Sequence, residues 1–145
     1  MLRLHTFCIA ILLALFAGSF VGCGSGNVGL SGKVTFSDDG SAVPAGTVAF
    51  RKDGKIARGR IKEDGTFVVG FEKETDGLPP GRYEVFISGA EKVIGTNADG
   101  ENTMEPLIDE KYNRAETSGL SLEVNSSTRV YNIEVERYKA SSGRR

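Results

Sequence analysis

The sequence predicts an all-β fold, a seven-stranded antiparallel β-sandwich, and three observations carry that expectation. From Leu30 onward apolar and polar residues alternate with period two, the mark of strands with one buried and one wet face. Asp-Gly pairs punctuate the alternating runs, and glycine is what a tight turn needs where φ is positive. Glycine is also abundant, 19 of 145 residues, with no collagen period, which favours many turns and so many short strands.

Taken in order, the first strand turns Leu30, Gly32, Val34 and Phe36 to one side, and Asp38-Asp39-Gly40 ends it. The second sets Val48 and Phe50 inward and closes on Asp53-Gly54. The third, Lys55 to Ile61, is weaker, with only Ala57, Gly59 and Ile61 facing in. Asp64-Gly65 turns into a fourth with Phe67, Val69 and Phe71 alternating. After Leu78-Pro79-Pro80-Gly81 the fifth places Tyr83, Val85 and Ile87 on the core side. Leu120, Leu122 and Val124 make the sixth, and Tyr131, Ile133 and Val135 the seventh. Between residues 89 and 117 no period holds, so this stretch is expected as one long acidic loop. Glu91, Asp99, Glu101, Glu105, Asp109, Glu110 and Glu116 outweigh Lys92, Lys111 and Arg114 there.

The first 22 residues have the three parts of an export signal: Arg3, an uncharged apolar run from Phe7 to Phe16, and small residues from Ala17 to Gly22. The run is about half the roughly 20 residues a membrane-spanning helix requires. Phe20-Val21-Gly22-Cys23 resembles the lipobox of bacterial lipoproteins, with Phe20 where leucine is common and Val21 where a smaller residue is usual. That resemblance implies cleavage before Cys23, lipid on its thiol, and membrane attachment by more than one acyl chain. Residues 23–29 then serve as a lipidated tether, 30–138 as the sandwich and 139–145 as a polar tail. Gly24 stands where an inner-membrane retention signal would have Asp, which favours the outer membrane.

Cleavage at Cys23 would remove the only histidine, His5, and the only other cysteine, Cys8. Imidazole-based nucleophilic catalysis and zinc, copper or iron sites on imidazole or thiolate would then have no ligands. No catalytic residue and no cofactor are expected. With 18 basic and 19 acidic residues the net charge is -1, too balanced for a nucleic-acid partner. Asp38-Asp39, Glu63-Asp64 and Asp99-Gly100-Glu101 carry oxygen ligands, but they lack the spacing of a calcium-binding helix-loop-helix and read first as turns. Arg58 and Arg60 alternate outward on the weak third strand beside Arg51, Lys52, Lys55 and Lys62, the charge pattern of a guarded sheet edge. Thr117-Ser118 with Lys111 would be a chance pairing rather than a nucleophile and base. Tyr112, Lys111 and Arg114 are the residues singled out for contact with a ligand or partner, although Tyr112 reads first as packing its ring on the sandwich rim.

Leu30-Ser31-Gly32-Lys33-Val34, Gly46-Thr47-Val48-Ala49-Phe50, Asp64-Gly65-Thr66-Phe67 and Leu78-Pro79-Pro80-Gly81-Arg82-Tyr83-Glu84-Val85 together resemble the carboxypeptidase regulatory-like domain. That domain is a transthyretin-like (prealbumin-like) sandwich with Ig-like architecture. Glu110-Lys111-Tyr112 and Thr117-Ser118-Gly119-Leu120 look like a subgroup found in small bacterial lipoproteins. The resemblance spans roughly Leu30 to Arg137 and implies fold more than activity, its motifs being strands and turns. The hydroxyisourate hydrolase branch needs histidines and a Tyr-Arg-Gly-Ser ending, whereas this chain ends Ser141-Ser142-Gly143-Arg144-Arg145. The expectation is a non-enzymatic, membrane-anchored envelope module that binds a protein or a glycan. The alternatives are a purely structural envelope component and, behind it, a carboxylate-based enzyme.

Overall fold

The structure, a computed structural model, describes residues 26–73 and 75–140. The leader, Cys23 and the end of the polar tail lie outside those residues. The described chain is a β-sandwich with a projecting hairpin. Its strands are β1 (Ser31–Phe36), β2 (Thr47–Lys52), β3 (Lys55–Arg60), β4 (Thr66–Val68), β5 (Gly81–Ser88), β6 (Glu91–Thr96), β7 (Asn102–Pro106), β8 (Leu120–Val124) and β9 (Ile133–Val135). One layer has the order β4-β1-β9, the other β3-β2-β5-β8, and β6-β7 form a two-stranded sheet of their own.

All seven strands read from alternation are present, and their inward residues build the core. Val34, Val48, Phe50, Ala57, Phe67, Val69, Val85, Ile87 and Val135 are fully buried, with Leu30, Val124 and Ile133 nearly so. Two expectations are corrected. The sandwich is not wholly antiparallel, because β1 and β9 run parallel, Val34 beside Ile133 and Phe36 beside Val135. Alternation fixes which face is buried, not which way a strand runs. The segment after β8 crosses from one layer to the other, and that crossing sets the direction of β9. Nor is the stretch from 89 to 117 a structureless loop: it holds β6, β7, a 3-10 turn at Glu110–Asn113 and the one-turn helix α1, Ala115–Ser118.

The Asp53-Gly54 turn has φ of 50° and 74°, the left-handed pair that a two-residue hairpin prefers. The apolar poverty of β3 has a steric reason. A side chain at Gly59 would stand 2.7 Å from the Val68 carbonyl oxygen, so the layers meet there too closely for one. The backbone confirms the closeness: Arg58 N–H donates to Gly70 O at 2.9 Å and Gly70 N–H returns to Arg58 O at 3.0 Å. Beyond that bridge β3 is the edge of its sheet, and Arg58 and Arg60 are exposed along it, as a guarded edge requires.

The two ends of the sandwich differ. Val28 pairs with Leu78 at one end, where the chain comes in from residue 26, and the Tyr83 hydroxyl donates to Pro79 O at 2.8 Å to hold the Pro-Pro bend. Strand β5 runs its eight residues away from this end. At roughly 3.3 Å per residue that is about 26 Å, and the β6–β7 hairpin begins where β5 stops.

Candidate interaction surface

Of the residues singled out in the sequence, Tyr112 is buried in the core, only 6% exposed, and its hydroxyl accepts the Glu136 N–H at 3.4 Å. Its burial follows from the 3-10 turn, which Asp109 starts by accepting the Lys111 N–H at 2.9 Å. The Lys111 ammonium pairs with Glu136 and lies 5.0 Å from the centre of the Tyr112 ring. The Glu136 carboxylate raises the lysine's pKa by holding its proton. Arg114 is exposed beside this cluster, ahead of α1. The structure therefore brings Lys111 and Tyr112 together as a rim clamp and leaves Arg114 to solvent.

The Ser118 hydroxyl is buried. It donates to Val85 O at 2.5 Å and accepts the Leu120 N–H at 3.1 Å, which ties the helical segment onto β5. Lys111 is committed to Glu136, so no serine–lysine pair forms. The acidic turns at Asp38-Asp39 and Asp64 are likewise occupied, by neighbouring backbone N–H groups and by side chains. Asp64 accepts the Thr66 N–H and hydroxyl, and both Asp38 and Asp39 receive the Arg137 guanidinium at 2.8 and 2.7 Å. Arg137 also stacks 3.7 Å from the centre of the Phe36 ring. Among the described residues no three acidic groups converge as a metal site would need.

Asp39 has the clearest electrostatic signature. Hydrogen bonds from the Ser41 hydroxyl and backbone N–H, with Arg137 adding its charge, lower its pKa from 3.8 to about 2. Asp64 and Asp76 are lowered in the same way, Asp64 by Thr66 and Asp76 by the backbone N–H groups of Phe71, Glu72 and Lys73. A carboxylate that resists protonation when folded adds stability above its unfolded pKa, and that contribution is lost as pH falls through the folded one. The melting temperature should therefore hold down to about pH 5 and fall as pH drops from about 4 toward 2. Asp39→Asn should flatten part of that fall when melting is followed across the range, and an unchanged pH profile would refute the assignment.

The basic face read from the sequence is partly neutralised. Arg51 pairs with Glu84 at 2.9 Å and Glu116 at 2.6 Å, and Lys52 donates to Pro80 O at 2.9 Å. Arg60 and Lys62 remain exposed, on the rim of an open groove of about 670 Å³. Its walls are the Pro44–Thr47 segment, Arg60–Glu63 and Gly89, so it lies at the root of the hairpin. A smaller cavity of about 230 Å³ at the opposite end is bordered by Lys52, Lys55, Phe71 and Tyr83.

The largest unpartnered element is the hairpin itself. Every residue of β6 is exposed, and Val93, Ile94 and Met104 are 55%, 56% and 45% exposed. Its root is fixed: the Leu107 N–H donates to Ala90 O at 2.8 Å and the Tyr138 N–H to Leu107 O at 3.1 Å. Its tip is fixed too, Asn97 accepting the N–H groups of Asp99 and Glu101 at 3.0 and 2.8 Å. Between them Lys92 pairs with Glu105 at 2.7 Å, Val93 pairs with Met104, and Ile94 stands next to Val93 at a bulge. Periodicity missed these strands because the bulge puts two apolar residues side by side and Gly95 breaks the run. One signal was available: Asp99-Gly100 between Val93-Ile94 and Met104 is a hairpin turn flanked by β-formers.

No family model and no curated protein matches the chain. A solved structure similar to it is a crystal structure of the major pilin subunit of Bacillus cereus, at 14% sequence identity and a TM-score of 0.47. The likeness covers 79% of this chain and 30% of that one, so the chain spans under a third of that protein's length. No helix among the described residues is long and apolar enough to cross a membrane.

Proposed function

We propose that this chain is an exported lipoprotein, held on a membrane of the cell envelope through Cys23, whose carboxypeptidase regulatory-like sandwich is a non-enzymatic binding or accessory module. The observation that carries the reading is the polarity of the sandwich. The chain comes in beside Leu78 at one end, and an ordered hairpin with exposed apolar residues leaves from the other. Four residues, 24–27, can span at most about 14 Å. A lipid on Cys23 would thus hold the first end near the bilayer and point the hairpin away from it. Exposed apolar residues on a well-held element mark an interaction site rather than a packing defect. Contact with a partner belongs to the same proposal through Arg114, which is open to solvent, and the half-exposed Lys111, while the buried Tyr112 holds Lys111 in place. The outer membrane is the favoured address.

Metabolic labelling with a fatty-acid probe and detergent partition tests the anchor. The native chain should take up the label and enter the detergent phase, and Cys23→Ala should do neither. Native protein without label, or a variant that stays membrane-bound, refutes the lipoprotein reading.

A further inference from the structure

The hairpin and the groove at its root are opposite in character. Along the hairpin Glu91, Asp99, Glu101 and Glu105 face the single cation Lys92, which Glu105 already engages, so the tip carries Asp99 and Glu101 uncompensated. The groove offers Arg60 and Lys62 against the one carboxylate Glu63. The apolar group Val93, Ile94 and Met104 lies midway between tip and root.

This arrangement is self-complementary. Lay two copies with their hairpins side by side and antiparallel. The midpoints then meet on a two-fold axis, apolar group against apolar group, and each acidic tip reaches the other copy's basic groove. Strand β6 is six residues long, about 20 Å, so tip and root are separated by the distance such a clasp requires. The apolar groups alone are small against the roughly 1,200 Å² of a stable interface, and the tip-in-groove contacts supply what they lack. Strand addition at the hairpin's edges is the weaker geometry, because the bulge interrupts β6 and Pro106 has no N–H to offer on β7.

We propose that the chain forms a two-fold dimer in which each hairpin lies across the other copy, its Asp99–Glu101 tip in the groove of Arg60 and Lys62. The interface is isologous and closed, so association stops at two. It requires only the folded sandwich, and so stands or falls independently of the lipid on Cys23.

Cysteine trapping in the full chain, in its own envelope, tests this. Met104→Cys, oxidised under mild conditions, should give a covalent dimer well above the level of Lys33→Cys, an exposed position on the other layer. Ala98→Cys combined with Glu63→Cys should also cross-link between chains. Within one chain tip and root are too far apart, since a disulfide needs Cα atoms within about 7 Å. Arg60→Glu with Lys62→Glu should abolish the Met104→Cys dimer, and adding Asp99→Lys with Glu101→Lys should restore it. These side chains are exposed, and unchanged melting of each variant shows that it folds. Met104→Cys trapping no better than Lys33→Cys, trapping to a different protein, or a dimer indifferent to charge reversal would overturn the proposal.

Discussion

Replacing Gly32 by alanine is expected to destabilise the sandwich by about 3 kcal/mol or more, the upper end of what inserting a group into a packed site costs. A Cβ there would stand 1.9 Å from the Tyr131 carbonyl oxygen and 2.8 Å from the Phe67 ring. The oxygen cannot swing aside as a side chain would. Its strand is held by the Tyr131 N–H donating to Ser31 O at 2.9 Å and the Ser31 N–H to Arg129 O at 3.0 Å. Making room therefore means separating β1 from the segment that leads into β9. Gly40→Ala is the matched control. Gly40 has φ of 70° and open space around it, so alanine there meets only left-handed backbone strain, about 1–2 kcal/mol. Thermal unfolding of the two variants should separate them by roughly 5 °C or more. Equal losses would mean that Tyr131 does not cross over Gly32.

The second large effect is expected at Phe50. It lies in β2, paired on both sides, to Ala57 and to Val85, and is fully buried. Its ring meets Phe67, Tyr83 and Tyr131 with centroids 6.4, 6.4 and 6.2 Å away, the two tyrosines edge-on at 77° and 64°. The site joins aromatic residues of both layers. Phe50→Ala should cost about 3–5 kcal/mol through lost transfer energy and a cavity that rigid neighbours cannot fill. Phe50→Leu keeps most of the volume and should cost less than about 1.5 kcal/mol. Denaturant midpoints measure both. A loss below about 1 kcal/mol for Phe50→Ala would show that this cluster is not the centre of the core.

Both residues bear on what the sequence made legible. Phe50 was identifiable at once, because an aromatic residue in an alternating run between turn signals has one place to go. Gly32 was placed on the correct face, but its reason was hidden: the close approach comes from Tyr131, 99 residues later, and period-two patterning carries no such information. The same limit explains the direction of β9 and the third strand, whose Gly59 reads as weakness until Val68 is set against it. Tyr112 shows the converse. Its neighbours Lys111 and Arg114 marked a polar stretch, and burial of the ring depends on a 3-10 turn that only the Asp109 cap and the Glu136 partner define. The hairpin was overlooked because it obeys no burial pattern at all: a strand pair exposed on both faces leaves nothing for periodicity to record.

Because β1 lies directly against β9, the fold closes like a clasp whose two halves sit at opposite ends of the described chain. Ordering Val34 against Ile133 requires every residue between them to be free at once. A chain delivered gradually, from a ribosome or through a pore, cannot complete its interior while Val135 is still on the far side. Pairings this distant form slowly, since the entropy of closing so long a loop must be met before any contact compensates. Until then the three-stranded layer lacks its last member and Phe36 has no neighbour along that flank. The topology itself delays maturity until β9 has been delivered.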